Sequence, residues 1–126
     1  MSTSLHLQLL KDLDALYTSI VVANSKNGTS MTRMQICEQI AASPAPRLYI
    51  SPERARFLTF NFPRNCAKKY KATGKHAEFY RRYCALPPEQ RSMQNIIKTL
   101  DQPAPSFYLS AEYIYKILYR IYDRRE

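Results

Sequence analysis

The stretch PAPRLYIS at residues 44–51 returns as PAPSFYLS at residues 103–110, fifty-nine positions further along the chain. The same offset pairs Met34 and Gln35 with Met93 and Gln94, and Glu53 with Glu112, so residues 34–53 carry 8 identities over 20 aligned positions. Self-similarity at a fixed offset marks a duplicated structural unit. The fold then follows from what one copy is made of.

Ahead of the first copy, residues 32–43 place Ile36, Cys37, Ile40 and Ala41 on one stripe of a helix. Pro44 stops it, because the residue before a proline is pushed out of the α region, and Pro46 repeats the constraint two residues on. Leu48 and Ile50 alternate with Arg47 and Tyr49, which predicts a short extended segment with Leu48 and Ile50 on its apolar face. Ser51, Pro52 and Glu53 form a helix start: Ser at the N-cap, Pro where its missing donor is no loss, Glu near the positive end of the dipole. Ser110, Ala111 and Glu112 make the same start in the second copy. The unit is helix, Pro-Ala-Pro turn, helix. Turn and cap chemistry alone explains the repetition, and a shared ligand-contact role for the turn is the alternative.

In outline this unit resembles a helix-turn-helix DNA-binding motif, whose second helix lies in the major groove; its connector is about eight residues, against about three to four in that motif. The resemblance implies that the helix opening at Pro52 meets the nucleic acid.

The rest of the chain fits an all-α reading. Leu9, Leu13, Leu16 and Ile20 share one face of an opening helix over 5–23, widened by Leu10, Tyr17 and Val21, and residues 24–30 end it with Gly28 suited to a left-handed turn. A helical run over 76–86 has Phe79, Tyr80, Tyr83 and Leu86 as its stripe, with Arg81 and Arg82 facing away. Residues 88–100 lead into the second copy with Met93, Ile96, Ile97 and Leu100 inward. The last helix sets Ile114, Ile117, Leu118 and Ile121 on one side and Tyr115, Tyr119 and Tyr122 on another, so it makes contacts on two sides. Packing against the opening helix and the core is the first reading of that second side, and an interface with a second copy is the other. The prediction is an all-α chain of five or six short helices in a single domain, 1–126. Its two degenerate helix–turn–helix repeats cover about 30–62 and 89–125, around a basic helical insert at 64–86.

Length and composition agree. A chain of 126 residues with 45% hydrophobic content and no long apolar run suits a soluble domain with a real core. Residues 5–22 are the most apolar region, but Lys11, Asp12 and Asp14 interrupt them, and no basic leader precedes them, so the expectation is a cytoplasmic protein with no membrane partner. Cys37, Cys66 and Cys84 are odd in number and lack CxxC spacing, which predicts neither a disulfide framework nor a zinc site.

The net charge of +9 is unevenly placed. Residues 1–46 balance, and residues 92–126 carry five basic and four acidic side chains. Residues 47–91 carry Arg47, Arg54, Arg56, Arg64, Lys68, Lys69, Lys71, Lys75, Arg81, Arg82 and Arg91 against Glu53, Glu78 and Glu89. Cations gathered in one segment suit a phosphate backbone, which rewards several contacts on one face through counterion release. Arg54 and Arg56 fall in the first turn of their helix, where a recognition helix meets base edges. Tyr70 and Tyr80 add stacking surfaces or phosphate hydrogen bonds. In the second copy Ser106, Tyr113 and Tyr115 stand where the first has Arg47, Arg54 and Arg56, so only one copy has the basic face.

Catalytic patterns are missing. His6 and His76 have no partner at a metal-ligand spacing and are expected at the surface; two glycines in all exclude glycine-rich phosphate loops and a GxSxG elbow; Asp12 and Asp14 fall on different helix faces. A non-catalytic protein without metal or cofactor is expected. Its expected partner is nucleic acid, DNA rather than RNA, bound by Arg47, Arg54, Arg56 and the basic residues of 64–82. Two alternatives stand beside this: a helical adaptor or inhibitor meeting an acidic protein surface, or a second copy, through Tyr115, Tyr119 and Tyr122; and a small structural protein of a virus or mobile element.

Overall fold

A computed structural model describes residues 2–63, 66 and 73–125, with side chains for 5–63, 66 and 73–120. The all-α class holds: among the described residues there are six α-helices and one isolated backbone bridge but no strand. The helices are α1 (Ser2–Asn27), α2 (Arg33–Ala41), α3 (Pro52–Asn61), α4 (Gly74–Ala85), α5 (Met93–Lys98) and α6 (Ala111–Arg125). Two single 3₁₀ turns, Pro88–Gln90 and Thr99–Asp101, flank α5. No described helix is long and apolar enough to cross a membrane.

The chain divides into two compact units. One contains α1, α2 and α6, from residues 2–44 and the stretch after Pro105. Its opening helix ends where Gly28 takes φ +67° and Thr29 donates back to the Asn24 carbonyl at 2.8 Å, the left-handed stop that glycine allows without steric cost. A capping box then starts α2: Thr32 Oγ1 accepts from the Gln35 N–H at 3.1 Å, and Gln35 Oε1 accepts from the Thr32 N–H at 2.8 Å. Ile36, Cys37 and Ile40 of α2, Leu13 and Ile20 of α1, and Ile114, Ile117 and Leu118 of α6 are buried, as the three helices pack pairwise.

The other unit, residues 45–104, is organised by the turns themselves. Ala45 and Ala104, the central residues of the two Pro-Ala-Pro segments, pair through the isolated antiparallel bridge and are both buried. Three residues on, the Leu48 N–H reaches the Leu100 carbonyl at 2.8 Å, and the Ile50 N–H turns back on the Leu48 carbonyl. That last bond curls the segment, so the expected alternation fails: Leu48, Tyr49 and Ile50 are all buried, and Tyr49 joins the core instead of facing out. The run expected over 88–100 is likewise broken. Ser92 recaps the chain by accepting from the Asn95 N–H at 3.2 Å, and α5 begins there.

Packing in this unit centres on Phe62, the residue closing α3. Its ring meets Phe79, Tyr80 and Tyr83 of α4 with centroids 5.5, 5.0 and 5.2 Å away, in tilted to edge-on geometries that suit the aromatic quadrupole. Ala55 and Leu58 face the same interior, and α3 packs on α5. Cys66 and Cys84 are joined by a disulfide, contrary to the expectation of unpaired thiols. An odd count and the missing CxxC motif did not exclude a pair 18 residues apart, because α4 brings Cys84 back beside Cys66 with the Cα atoms 5.7 Å apart. Cys37 remains a free, buried thiol, its pKa pushed up by burial.

Candidate nucleic-acid interface

The basic segment separates into cations that hold the fold together and cations that face outward. Arg82 is of the first kind, although its place on α4 predicts the opposite. Its side chain is only 10% exposed: Nε donates to Glu78 Oε2 at 3.0 Å, and the two terminal nitrogens donate to the carbonyls of Thr99, Gln102 (3.3 Å) and Pro103 (2.7 Å). One guanidinium thereby satisfies the carbonyl end of the Thr99–Asp101 turn and ties the second Pro-Ala-Pro segment to α4. Glu78 is buried because it is paired, with Arg82 inside and Arg81 on its exposed side. The i, i+4 spacing of Glu78 and Arg82 was the signal for this role.

Arg91 works in the same way. Its Nε donates to the Leu86 carbonyl at 3.0 Å, a terminal nitrogen reaches the Cys84 carbonyl and Cys66 Sγ, and its guanidinium lies 4.8 Å from the centroid of the Tyr83 ring. Arg47 is half-buried, with its guanidinium 3.9 Å from the exposed Asp101 carboxylate. Arg64, Lys68, Lys69, Tyr70 and Lys71 lie outside the described residues. Tyr80 is occupied against Phe62.

Arg54, Arg56 and Arg81 face outward, Arg81 with a side chain 71% exposed beside Glu78. α3 is held by Ser51, whose Oγ accepts from the Arg54 N–H at 3.1 Å, and by the buried pair Ala55 and Leu58; the helical period then turns Arg54, Arg56, Phe57 and Phe60 to solvent. Phe57 is 58% exposed and Phe60 82%. The Arg54 guanidinium lies 5.8 Å from the Phe57 ring centroid, a cation–π distance. Beside it, Lys75 is exposed as a residue but turns its ammonium back onto the Tyr49 carbonyl at 3.0 Å. Desolvation there, with Arg54 nearby, lowers the Lys75 pKa, and desolvation followed by the charges of Lys75 and Arg54 lowers that of half-buried His76. Arg54 and Lys75 therefore form one positive neighbourhood, with His76 beside it. An open depression of about 230 Å³ is lined by Pro52, Glu53 and Arg56 of α3.

The tyrosines of α6 divide differently. Tyr115 and Tyr119 stack with centroids 5.8 Å apart and planes within 13°, and the Arg33 guanidinium lies 5.9 Å from the Tyr119 centroid. With Tyr17, Cys37 and Leu118 they line a crevice of about 10 Å³, room for no more than a water. Burial raises the Tyr17 pKa there, against the lowering effect of Arg33. Tyr115 and Tyr119 are thus engaged within their own unit, with Tyr119 keeping 44% exposure; the Tyr122 side chain lies outside those described. Among the described residues no cluster of His, Cys, Asp and Glu has the makings of a metal site.

Compared with known proteins, the chain matches no family model, no curated protein and no solved structure.

Proposed function

We propose that this is a small, non-catalytic nucleic-acid-binding protein, meeting DNA before RNA, and that α3 is the element that touches the ligand. One observation carries the reading. Of the seven described cations of the basic segment, Arg47, Arg81, Arg82 and Arg91 are paired with groups of the fold, whereas Arg54 and Arg56 stand on the solvent face of a single capped helix, with Lys75 near Arg54. A rigid helix presenting cations suits a phosphate backbone, whose affinity comes from several simultaneous neutralisations.

The repeat organisation belongs to the same proposal. Each unit combines the leading helix of one copy with the trailing helix of the other, α2 with α6 and α5 with α3. Equivalent letters would then build two equivalent helix pairs, of which the α5–α3 pair carries Arg54 and Arg56 where α6 has Tyr113 and Tyr115. In the helix-turn-helix analogy α3 takes the recognition position, but α3 packs on α5 and α2 on α1 and α6. The support for binding is therefore the α3 surface itself.

A cytoplasmic setting goes with this reading. Thiol trapping from cells tests it, since a Cys66–Cys84 bond found oxidised there points to a disulfide-permitting compartment. The binding reading is tested by titrating duplex and single-stranded oligonucleotides across a salt series: micromolar or tighter affinity that falls steeply with salt supports it, and no binding at low salt refutes it.

A further inference from the structure

The solvent face of α3 holds more than charge. Two phenylalanines, Phe57 and Phe60, stand one helical turn apart and exposed, between Arg54 on one side and Arg56 on the other. Single exposed apolar residues need no explanation, but two large aromatic rings on the arginine-bearing face of one helix form a patch. Phenylalanine cannot donate or accept a hydrogen bond, so neither ring reads base edges by hydrogen bonding or grips phosphate oxygens. What a phenyl ring offers is a flat apolar face. A duplex keeps the matching faces of its bases inside the stack, whereas an unpaired strand presents them.

We propose that Phe57 and Phe60 are a stacking platform for unpaired nucleotides, with Arg54 and Arg56 neutralising the phosphates on either side, so that the natural ligand is a single strand or a single-stranded region. This rests on the nucleic-acid reading above and specifies its substrate. Charge complementarity selects the occupant. The described charged groups of the patch are Arg54 and Arg56 on the same helix, with Glu53 as the acid in the same helix turn and Lys75 near Arg54. An apolar protein groove would cover the rings but leave these cations without a counterpart, whereas a polynucleotide supplies a π-face and an anion with every residue. The Arg54 guanidinium over the Phe57 ring already has the arrangement in which a base, an aromatic ring and an arginine share one stack.

The test compares wild-type protein with Phe57→Ala/Phe60→Ala and with Arg54→Ala/Arg56→Ala, using labelled single-stranded oligonucleotides and a duplex of the same length. All four positions are exposed, and circular dichroism confirms that the helices persist. The proposal expects the phenylalanine variant to lose roughly tenfold or more in single-strand affinity, the scale of base–aromatic stacking, with its salt dependence and duplex affinity unchanged. The arginine variant should lose affinity for both ligands with a flatter salt slope. In Phe57→Trp, indole fluorescence should be quenched by the single strand and not by the duplex. Single-strand binding unaffected by the phenylalanine changes overturns the platform and leaves the nucleic-acid reading standing; failure of the wild-type protein to bind any oligonucleotide at low salt overturns that reading itself. Binding of an acidic polypeptide that matches the oligonucleotides in affinity and depends on Phe57 and Phe60 also overturns the platform, in favour of a protein partner.

Discussion

Ala45 and Ala104 exchange both of their backbone hydrogen bonds, the Ala45 N–H reaching the Ala104 carbonyl at 2.8 Å and the Ala104 N–H reaching the Ala45 carbonyl at 2.9 Å. They are the same position of the two Pro-Ala-Pro segments. The two bonds close a single antiparallel bridge between the segments. Prolines on both sides of each alanine remove neighbouring donors, so each alanine is the donor its segment has for this pairing.

Both alanines are 2% exposed, which leaves little space for a larger side chain. Ala45→Val and Ala104→Val should each destabilise the protein by about 1–3 kcal/mol through overpacking. Chemical denaturation reads this, and similar losses at the two sites are the expected outcome; a loss at only one would show that the pair is not equivalent.

Arg82 and Arg81 are sequence neighbours with opposite tasks. Arg82→Ala leaves buried Glu78 without its inner partner and three carbonyls without their donor, and should cost about 3–5 kcal/mol. Arg81→Ala, at a side chain 71% exposed, should cost no more than about 1 kcal/mol. Thermal and denaturant unfolding separate the two, and equal costs would contradict the strut assigned to Arg82.

The disulfide closes a loop across the basic segment. Cys66→Ser with Cys84→Ser should lower stability by about 3 kcal/mol on the loop-entropy scale, given a separation of 18 residues. Unfolding with and without reductant should reproduce the same difference in the wild type and none in the double variant.

How much of this was legible in the sequence follows from which interactions are local. The cap at Ser51, the left-handed Gly28 and the buried stripes of α2 and α6 depend on residues within a turn or two, and the letters predict them; the capping box at Thr32 is as local but was missed. Tyr49, Cys66 and Arg91 depend on what the chain brings back from 18 to 26 residues away, and periodicity carries none of that. Charge counting placed the basic segment but gave every cation one role, because it does not show which guanidinium finds carbonyls. The exposure of Phe57 and Phe60 has a local cause: α3 is short, and Ala55, Leu58 and the closing Phe62 already fill its inner face.

His76 supplies a pH signature. Burial and the charges of Lys75 and Arg54 hold its folded pKa below the usual 6.5, so between these values the unfolded chain binds more protons than the folded one. Stability should therefore fall as pH drops through 6.5 toward the lowered pKa, and His76→Gln should flatten that slope. A polyanion on this neighbourhood favours the imidazolium, so bound oligonucleotide should raise the His76 pKa in an NMR titration; no movement would place the ligand elsewhere.

The central claim, that Arg54 and Arg56 of α3 meet a phosphate backbone, is tested most directly by the slope of log affinity against log salt for wild type and Arg54→Ala/Arg56→Ala. Each lost phosphate contact should reduce the slope by about 0.7 on a single strand and about 0.9 on a duplex, with weaker binding at low salt. An unchanged slope and affinity in the double variant would contradict the account.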